Sequence, residues 1–373
     1  MLAVFSYKFG PLFINRHVDD LMPGQAVAIA RHDDNTPDEH WTASCPALFL
    51  NHWTKSIPMR LARRMGFSES HLHDTLVKRF LRRHDVDMVL GEFLDQFVDF
   101  VPLLDRMRLP YIVQGHGFDV SVALRSPGMA QRYLAYRSAQ AILTRCELHR
   151  QRLIEIGLPA EKIYVNFGGV DVPVEPPHRD PKASKRFLAL SYMVQKKGAI
   201  YTLEAFRLAA AQDPDITLDV VGGGPFFPAV YQFVDACDLT DRVRLHGVVS
   251  EEVKHRLSLE CGIFVQHSIT NPITGDEEGL PAAIQEAMAY GMAVVSTRHA
   301  GIPEAVEEGV TGFLVEEGDS KAMANAMLQA VSCAPMLGGA GYLRARAEHS
   351  WDCEKMRLLQ WLRTANVTDH VRP

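Results

Sequence analysis

The chain has 373 residues, of which 47% are hydrophobic and 23% are charged, and its formal net charge is −6. This length exceeds the usual size of one hydrophobic core, so two domains are expected. The net negative charge argues against a nucleic-acid partner, because binding to a phosphate backbone requires a basic surface.

Six cysteines lie far apart, without any C-x-x-C pair. This spacing excludes a disulfide framework and a zinc site, and it favours a reducing compartment. The apolar start of the chain meets polar Ser6 and Lys8 too early for a signal peptide. The best candidate for a membrane span, 88–104, is interrupted by acidic residues. We therefore expect a cytoplasmic protein.

Short β-rich apolar runs alternate with helical patterns through most of the chain. This alternation predicts an α/β fold with parallel sheets and helices on both faces. The predicted strands of the first half are 26–30, 88–90, 111–114, 141–144 and 163–165. Those of the second half are 187–191, 217–221, 243–245, 263–265 and 293–296.

A proline-rich stretch, 172–181, separates the two series of strands. It has four prolines in ten residues, and proline fixes φ and removes a backbone donor. We interpret it as a stiff linker between a domain at 1–172 and a domain at 182–352. Two doubly wound domains joined there would face a cleft at the carboxyl ends of their strands. The last segment, 353–373, is predicted to form a helix that crosses back to the first domain.

A basic stretch, 55–83, has eight Lys or Arg residues against two acids, and its end is amphipathic at helical spacing. Two interpretations stay open. The stretch is either a solvated helix face or a contact for anionic lipid headgroups or a diphosphate-linked lipid acceptor, which would bring the protein to the inner face of the membrane. His71 and His73 face apart on a helix, so they do not suggest a metal site.

The most informative segment is 275–291, which follows the predicted strand 263–265. Pro281 suits the first position of a helix of about three turns, and Gly291 suits the position that ends it. The residues Leu280 and Ala282 therefore lie at a helix start, where exposed N–H groups and the helix dipole favour phosphate.

Glu278 precedes this helix and Glu286 lies inside it, eight positions later. Their carboxylates are suitable acceptors for the hydroxyls of a ribose or a hexose. The spacing alone would be typical of an acidic loop and a solvated glutamate. The neighbouring glycines, among them Gly279, the proline and the following predicted strand 293–296 favour a ligand site.

The motifs at 278–281, 286–291, 301–304 and 311–315 together resemble the C-terminal signature of family 4 retaining glycosyltransferases of the GT-B fold. The match is specific over 268–319 and looser over 187–247. It is strongest with bacterial enzymes of exopolysaccharide or lipopolysaccharide assembly. The resemblance implies two Rossmann-like domains and a nucleoside diphosphate sugar as donor.

The resemblance also implies roles for residues of the second half. Glu278 would contact the donor sugar and Glu286 the ribose, while Val249 would lie where backbone groups hold the nucleobase. Lys197 matches the lysine of a Gly-Arg…Lys-Gly pattern whose two cations bind the diphosphate, but Tyr192 stands at the place of the arginine. Three explanations stay open: another cation such as Arg145 substitutes, the donor differs, or turnover is slow.

In the first half, His116 lies between two glycines at the carboxyl end of the predicted strand 111–114. A histidine in such a turn is expected to be unpacked and to point into the cleft. The resemblance implies that it forms a hydrogen bond with a hydroxyl of the donor sugar rather than transferring a proton. Asp119 is expected to cap the next helix. Gly10 is the one residue of the first loop, 7–13, that matches the small residues expected near the diphosphate.

These motifs predict transfer of a glycosyl group, with retention, from a nucleoside diphosphate sugar to a hydroxyl of a saccharide or lipid-linked saccharide. No metal or other cofactor is expected. No carboxylate can be assigned as a covalent nucleophile, so we expect front-face attack, with the departing diphosphate taking the acceptor proton. Two alternatives stay open: an epimerase or phosphorylase of the same fold, and a weakly catalytic nucleotide-sugar-binding subunit.

Overall fold

The computed structural model describes residues 1–7, 12–31, 45–51 and 69–367. The chain divides into two compact units. Unit 1 comprises Met1–Thr144, His149–Asn166 and Lys355–Pro373, and unit 2 comprises Arg145–Leu148 and Phe167–Glu354. The main segment of unit 2 begins at Phe167. Gly10 and residues 55–68 of the basic stretch lie outside the described residues.

Unit 1 is built on a parallel sheet. Its described strands are β1 (Leu2–Ser6), β2 (Ala26–Ala30), β3 (Ala47–Phe49), β4 (Met88–Glu92), β5 (Tyr111–Gln114), β6 (Ala141–Thr144) and β7 (Ile163–Val165). Their order is β3-β2-β1-β4-β5-β6-β7, with parallel pairing throughout. Every residue of β1, β2 and β4 is buried, as expected for a sheet covered on both faces.

Helices connect these strands and cover the sheet. Those described are α1 (Leu12–Asp19), α2 (Glu69–Arg83), α3 (Leu94–Phe97), α4 (Val101–Met107), α5 (Met129–Tyr133) and α6 (Glu147–Glu155). Aromatic side chains fill the core on one face of the sheet, where Phe97 stacks parallel to Tyr136. The hydroxyl of Tyr136 is buried and donates to the carbonyl oxygen of Leu94 at 2.5 Å, so the core keeps no unpaired phenol there.

Unit 2 is built on a second parallel sheet. Its described strands are β8 (Arg186–Leu190), β9 (Thr217–Val221), β10 (Val243–Gly247), β11 (Ile263–Val265), β12 (Ala293–Thr297) and β13 (Gly312–Val315). Their order is β10-β9-β8-β11-β12-β13, and all pairs are parallel. The order reverses at β8, so a crevice is expected beyond the carboxyl ends of β8 and β11.

The helices of the second half are α7 (Ala199–Ala210), α8 (Phe227–Ala236), α9 (Glu251–Glu260), α10 (Ala282–Ala289), α11 (Ile302–Ala305), α12 (Ser320–Glu348) and α13 (Trp351–Val367). The long helix α12 packs on α7 and β12 through its buried apolar side chains, such as Met323, Met327 and Leu337. The predicted last helix is confirmed as α13, and the division between the units falls inside it.

The predicted strands are all confirmed, and the α/β class with two doubly wound parallel sheets is confirmed with them. The strands β1, β3 and β13 were not predicted. The helix after Pro281 is shorter than expected, because Ala282–Ala289 has eight residues and about two turns. Pro281 is its N-cap, with ψ of 123°, rather than its first helical residue. Gly291, at φ 68°, follows its end as predicted.

Candidate functional site

The loops at the carboxyl edge of the unit 2 sheet are in direct backbone contact. Gly198, at φ 55°, lies where a Cβ atom would overlap the carbonyl oxygen of His267. Gly222, at φ 124°, lies in the same way against the carbonyl oxygen of Ser191. Glycine alone fits both positions, because each also has a φ that disfavours other residues. The loop after β8 is therefore packed between the loops after β9 and β11.

A cluster of two lysines and two acids occupies this edge, and we call it the lysine–glutamate cluster (Lys196, Lys197, Asp276, Glu278). The Nζ atom of Lys197 lies 3.0 Å from Glu278 Oε2, and that of Lys196 lies 3.3 Å from Glu278 Oε1. Lys196 also lies 3.0 Å from Asp276. The structure therefore brings the predicted Lys197 and Glu278 together and adds a cation that the sequence analysis missed.

The charges of the lysine–glutamate cluster are mutually compensated. Burial acts to raise the pKa of Glu278, but Lys197 and Lys196 outweigh it and lower this pKa to about 2. Burial acts to lower the pKa of Lys196, but Glu278 and Asp276 raise it above its ordinary value. The side chains of Lys196, Lys197 and Glu278 are 18%, 14% and 15% exposed, so a ligand can reach them.

The start of α10 lies directly after Glu278. The carbonyl oxygen of Gly279 accepts a hydrogen bond from Gly301 N at 2.8 Å, which ties this turn to the turn after β12. Leu280 is buried in the core of unit 2. The N-cap Pro281 gives no side-chain hydrogen bond to the helix, so the first amide, that of Ala282, receives no cap from it. The phosphate site at this helix start stays a prediction.

Glu286 belongs to a different ion pair. It is 30% exposed, and its carboxylate lies 3.1 Å from the Nζ atom of Lys254 on α9. Burial acts to lower the pKa of Lys254, but Glu286 raises it. The structure thus joins Glu286 to Lys254 and Glu278 to Lys197, with the helix start between the two acids in the chain.

The remaining predicted residues of unit 2 lie in different environments. Tyr192 is 63% exposed, in the loop that Gly222 supports. Val249 packs, half-buried, against the core next to α9. Arg145 is buried, and its Nη1 atom lies 3.3 Å from Glu354 Oε1. Arg145 is therefore neutralised by Glu354, whereas Lys196 stands directly beside Lys197.

His116 does not stand unpacked in its turn, so that prediction is wrong. Its ring lies on the ring of Phe93, with centroids 4.4 Å apart, and its Nε2 atom lies 2.6 Å from Glu92 Oε2. Asp119 caps α3, which precedes it, rather than the next helix, because its Oδ2 atom accepts from Leu94 N at 2.9 Å. The other carboxylate oxygen of Asp119 accepts from His116 N, so the turn is fixed from both sides.

His116 is part of a second cluster, in unit 1, that we call the histidine–glutamate cluster (His17, Glu92, His116). Glu92 is fully buried, and its Oε1 atom lies 2.6 Å from His17 Nδ1. Burial acts to raise the pKa of Glu92, but the charges and hydrogen bonds of His17 and His116 lower it well below its ordinary range. Glu92 therefore accepts from both imidazole rings as a carboxylate.

The residues that were missed differ in how visible they are in the sequence. Lys196 is adjacent to Lys197, and Glu92 ends a buried apolar strand, where a charged residue is unusual. Both features are visible in the sequence and could have identified Lys196 and Glu92. His17 lies on α1, 75 residues from its partner Glu92, and no spacing rule connects them.

In the described part of the chain, no group of His, Cys, Asp and Glu has an arrangement for a metal ion. No helix described here is long and apolar enough to span a membrane.

Comparison with known proteins agrees with these motifs. Residues 175–339 match the family model "Glycosyl transferases group 1". The chain is 36% identical, over 56% of its length, to the putative colanic acid biosynthesis glycosyltransferase WcaL of Salmonella typhimurium. It is 32% identical, over 64% of its length, to the amylovoran biosynthesis glycosyltransferase AmsK of Erwinia amylovora. The chain covers only 52% and 60% of these relatives.

Solved structures establish the fold. The Anabaena protein HepE, crystallised with UDP, aligns with a TM-score of 0.75 and 19% identity over 97% of this chain and 99% of its own. Sucrose-phosphate synthase from Thermosynechococcus elongatus aligns with a TM-score of 0.74 and 17% identity over 98% and 99% of the two chains. Together with the two Rossmann-like sheets, these matches show the GT-B fold.

Proposed function

We propose that the protein is a glycosyltransferase of bacterial polysaccharide assembly. It transfers a sugar from a nucleoside diphosphate sugar to a hydroxyl of a saccharide or lipid-linked saccharide. The lysine–glutamate cluster beside the start of α10 carries this proposal, because two ammonium groups and a helix start converge where a diphosphate would leave. The relatives in colanic acid and amylovoran biosynthesis support the pathway class.

The two lysines supply the cations for the diphosphate. Lys197 matches the lysine of the family pattern, and Lys196 takes the place of the arginine that Tyr192 replaces. Lysine is a flexible point charge, so both side chains can turn from Glu278 to phosphate oxygens. Glu278 is then available to accept hydrogen bonds from the sugar. The charge that develops on the leaving diphosphate is stabilised by groups that are already in place.

The other predicted residues complete the donor site in this proposal. Glu286 binds the ribose hydroxyls, and backbone groups at Val249 hold the nucleobase. His116 forms a hydrogen bond with a hydroxyl of the transferred sugar. The structure of HepE with UDP supports a uridine or related nucleotide as ligand class. The acceptor hydroxyl attacks from the face that the diphosphate leaves, which retains the anomeric configuration without a covalent nucleophile or a metal.

Two single replacements test the donor site. Lys197→Ala and Glu286→Ala should each reduce turnover of UDP-glucose or GDP-mannose by at least about 100-fold, because each removes a charged ligand contact. Lys185→Ala is the matched control, since that lysine has a 39% exposed side chain and pairs with Asp213 and Asp215. Turnover is measured as released nucleoside diphosphate, with and without EDTA. Full activity in both variants would exclude this site.

The same assay separates the alternatives. An epimerase or phosphorylase would convert the donor in the absence of an acceptor, so product analysis after incubation with donor alone identifies it. A weakly catalytic binding subunit would bind UDP or GDP in calorimetry and turn over neither donor with any acceptor. The proposed transferase requires both binding and acceptor-dependent release.

The helix α2 supports a peripheral contact with anionic lipid. Lys78, Arg79, Arg82 and Arg83 are exposed, whereas Val77 and Leu81 are buried. This face would attract a surface of acidic headgroups. We expect the protein to sediment with vesicles that contain 30% phosphatidylglycerol and not with pure phosphatidylcholine. The variant Arg79→Glu/Arg82→Glu should lose that binding; equal binding by the variant would contradict the contact.

A further inference from the structure

His299 connects the loop that carries Glu278 to the end of β13. Its side chain is only 1% exposed. The Nε2 atom of His299 accepts a hydrogen bond from Glu278 N at 3.1 Å. On the opposite side of the ring, its Nδ1 atom lies 2.6 Å from Oε1 of Glu317. The imidazole ring therefore bridges a backbone amide and a carboxylate.

These two contacts define one state of the ring. Because Nε2 accepts an N–H group, it carries no proton, so the proton is on Nδ1 and is donated to Glu317. A neutral imidazole with this tautomer satisfies both neighbours, and a carboxylate on Nδ1 makes Nε2 a better acceptor. The direction of each hydrogen bond is therefore fixed by the position of Glu317.

Glu317 also holds the beginning of the same loop. Its Oε2 atom accepts from Thr270 N at 2.8 Å. Thr270 precedes Glu278 by eight residues, so one carboxylate fixes one end of the loop directly and the other end through His299. The loop between them is closed on itself, because Asn271 N donates to the carbonyl oxygen of Asp276 at 2.8 Å.

We propose that His299 and Glu317 are positioning residues that hold Glu278 at the place where the donor sugar binds. This inference rests on the proposed function. Neither residue needs to touch the donor, because the contact acts through the backbone of Glu278. A displacement of a catalytic group by about 1 Å can cost roughly 100-fold in rate, so the expected loss is large for so remote a change.

The loop keeps other attachments when His299 is replaced. Thr297 Oγ1 donates to the carbonyl oxygen of Ser268 at 2.7 Å, and Gly301 N donates to that of Gly279 at 2.8 Å. Unit 2 should therefore stay folded in the variants. Only the segment between these two attachments, 269–278, is expected to become mobile.

The test compares His299→Leu with His299→Gln. Leucine removes both hydrogen bonds, whereas glutamine keeps an acceptor oxygen near the place of Nε2. We expect kcat for the nucleotide sugar to fall about 10- to 100-fold in His299→Leu and less than 5-fold in His299→Gln, with the affinity for UDP or GDP unchanged within 2-fold. His178→Leu, at an exposed position, is the matched control. Equal kcat in His299→Leu and the wild type would overturn the proposal.

A double replacement tests whether His299 affects kcat only through Glu278. If His299 acts only through Glu278, adding His299→Leu to Glu278→Ala should cause no further loss of kcat. Losses that multiply would overturn the proposal and would indicate a separate role. Glu317→Gln should give a smaller loss than His299→Leu, since an amide can still accept from one partner.

Hydrogen–deuterium exchange separates this inference from the proposed function. In His299→Leu, amide exchange should become faster at 269–278 and stay unchanged in β11 and β12. That result supports the positioning role even if the wild type turns over neither donor, in which case the proposed function alone fails. Unchanged exchange at 269–278 would overturn the inference whatever the activity.

Discussion

Each unit contains a glutamate between two basic side chains at the carboxyl edge of its sheet, yet the two sites are built differently. Glu92 lies between two histidines, and its side chain and that of His17 are fully buried. Glu278 lies between two lysines, and all three side chains are 14% to 18% exposed. The partners differ in stiffness as well, because an imidazole has two side-chain torsions and a lysine has four.

This difference indicates which carboxylate can change partners. Glu92 accepts two hydrogen bonds of 2.6 Å from rings that are packed in place, so the histidine–glutamate cluster is a fixed unit that orients His116. The lysines of unit 2 have flexible stems and reach solvent, so a diphosphate can take them over. A buried carboxylate with rigid partners contributes to the fold, whereas one with flexible partners suits ligand binding.

The largest expected effect comes from removing each carboxylate in turn. Glu92→Leu leaves buried imidazole N–H groups without an acceptor, so unit 1 should lose about 3 kcal/mol of unfolding free energy. Glu278→Leu should cost unit 2 less than about 1 kcal/mol, because Lys196 keeps Asp276 and Lys197 can turn to water. Urea unfolding followed by circular dichroism, fitted as two transitions, measures both losses.

The loss of turnover should rank in the opposite order, with a larger loss on replacing Glu278 than on replacing Glu92. Glu278→Leu removes a proposed contact to the donor sugar and should lower turnover by at least about 100-fold in a folded protein. Glu92→Gln keeps the shape of the side chain and should lower turnover less, because its amide oxygen can still accept a hydrogen bond from one imidazole ring. The comparison breaks down if Glu278→Leu destabilises unit 2 as strongly as Glu92→Leu destabilises unit 1.

The sequence alone predicted the parts of this comparison that depend on local pattern. The alternation of apolar runs located the strands, and the proline and glycine around α10 located its two ends within a few residues. Lys197 and Glu278 were each predicted as ligand residues of the loops at the carboxyl edge, but their ion pair was not predicted. Three strands were missed, and β3 and β13 are short, with only three and four residues.

The parts that failed depend on contacts between distant segments. The two glycines next to His116 in sequence do not cover its side chain. Strand β4, however, lies next to β5 and brings Glu92 and Phe93 against His116. Strand order decides this contact, and no periodicity reveals it. The contact between His299 and Glu317 was missed for the same reason, because it depends on the pairing of β12 with β13.

A further prediction concerns the effect of pH on stability through His267. His267 lies in unit 2, where its Nε2 atom accepts from Gly318 N at 2.7 Å. Burial lowers its pKa to about 4, although Glu317 and Asp319 act to raise it. Between pH 6.5 and 4 the unfolded chain binds a proton there that the folded chain does not, so unit 2 should lose stability as the pH falls, by at most about 3 kcal/mol.

His267→Gln tests this pH dependence, because glutamine keeps an acceptor for Gly318 N but does not titrate. The urea midpoint of unit 2 should fall between pH 6.5 and pH 4 in the wild type and fall less in the variant. His255→Gln is the control, since His255 is exposed and should leave the dependence unchanged. An identical pH dependence in His267→Gln would show that another group titrates.

The smallest expected effect concerns the affinity for the diphosphate, and it tests whether Lys196 and Lys197 bind that group without an arginine. Tyr192→Arg puts a guanidinium at the exposed place where the family pattern has one, and arginine binds phosphate through two parallel hydrogen bonds. The Kd for UDP or GDP should fall about fivefold, close to 1 kcal/mol, and the affinity for the nucleoside without phosphates should not change. Tyr231→Arg, at a tyrosine that is 61% exposed on α8, is the matched control. A gain confined to Tyr192→Arg would mean that the diphosphate lies within reach of this loop and that Lys196 replaces the arginine only in part. An unchanged Kd in Tyr192→Arg would mean that Lys196 and Lys197 already neutralise the diphosphate. That outcome would agree with the proposal that both lysines turn from Glu278 to the phosphate oxygens.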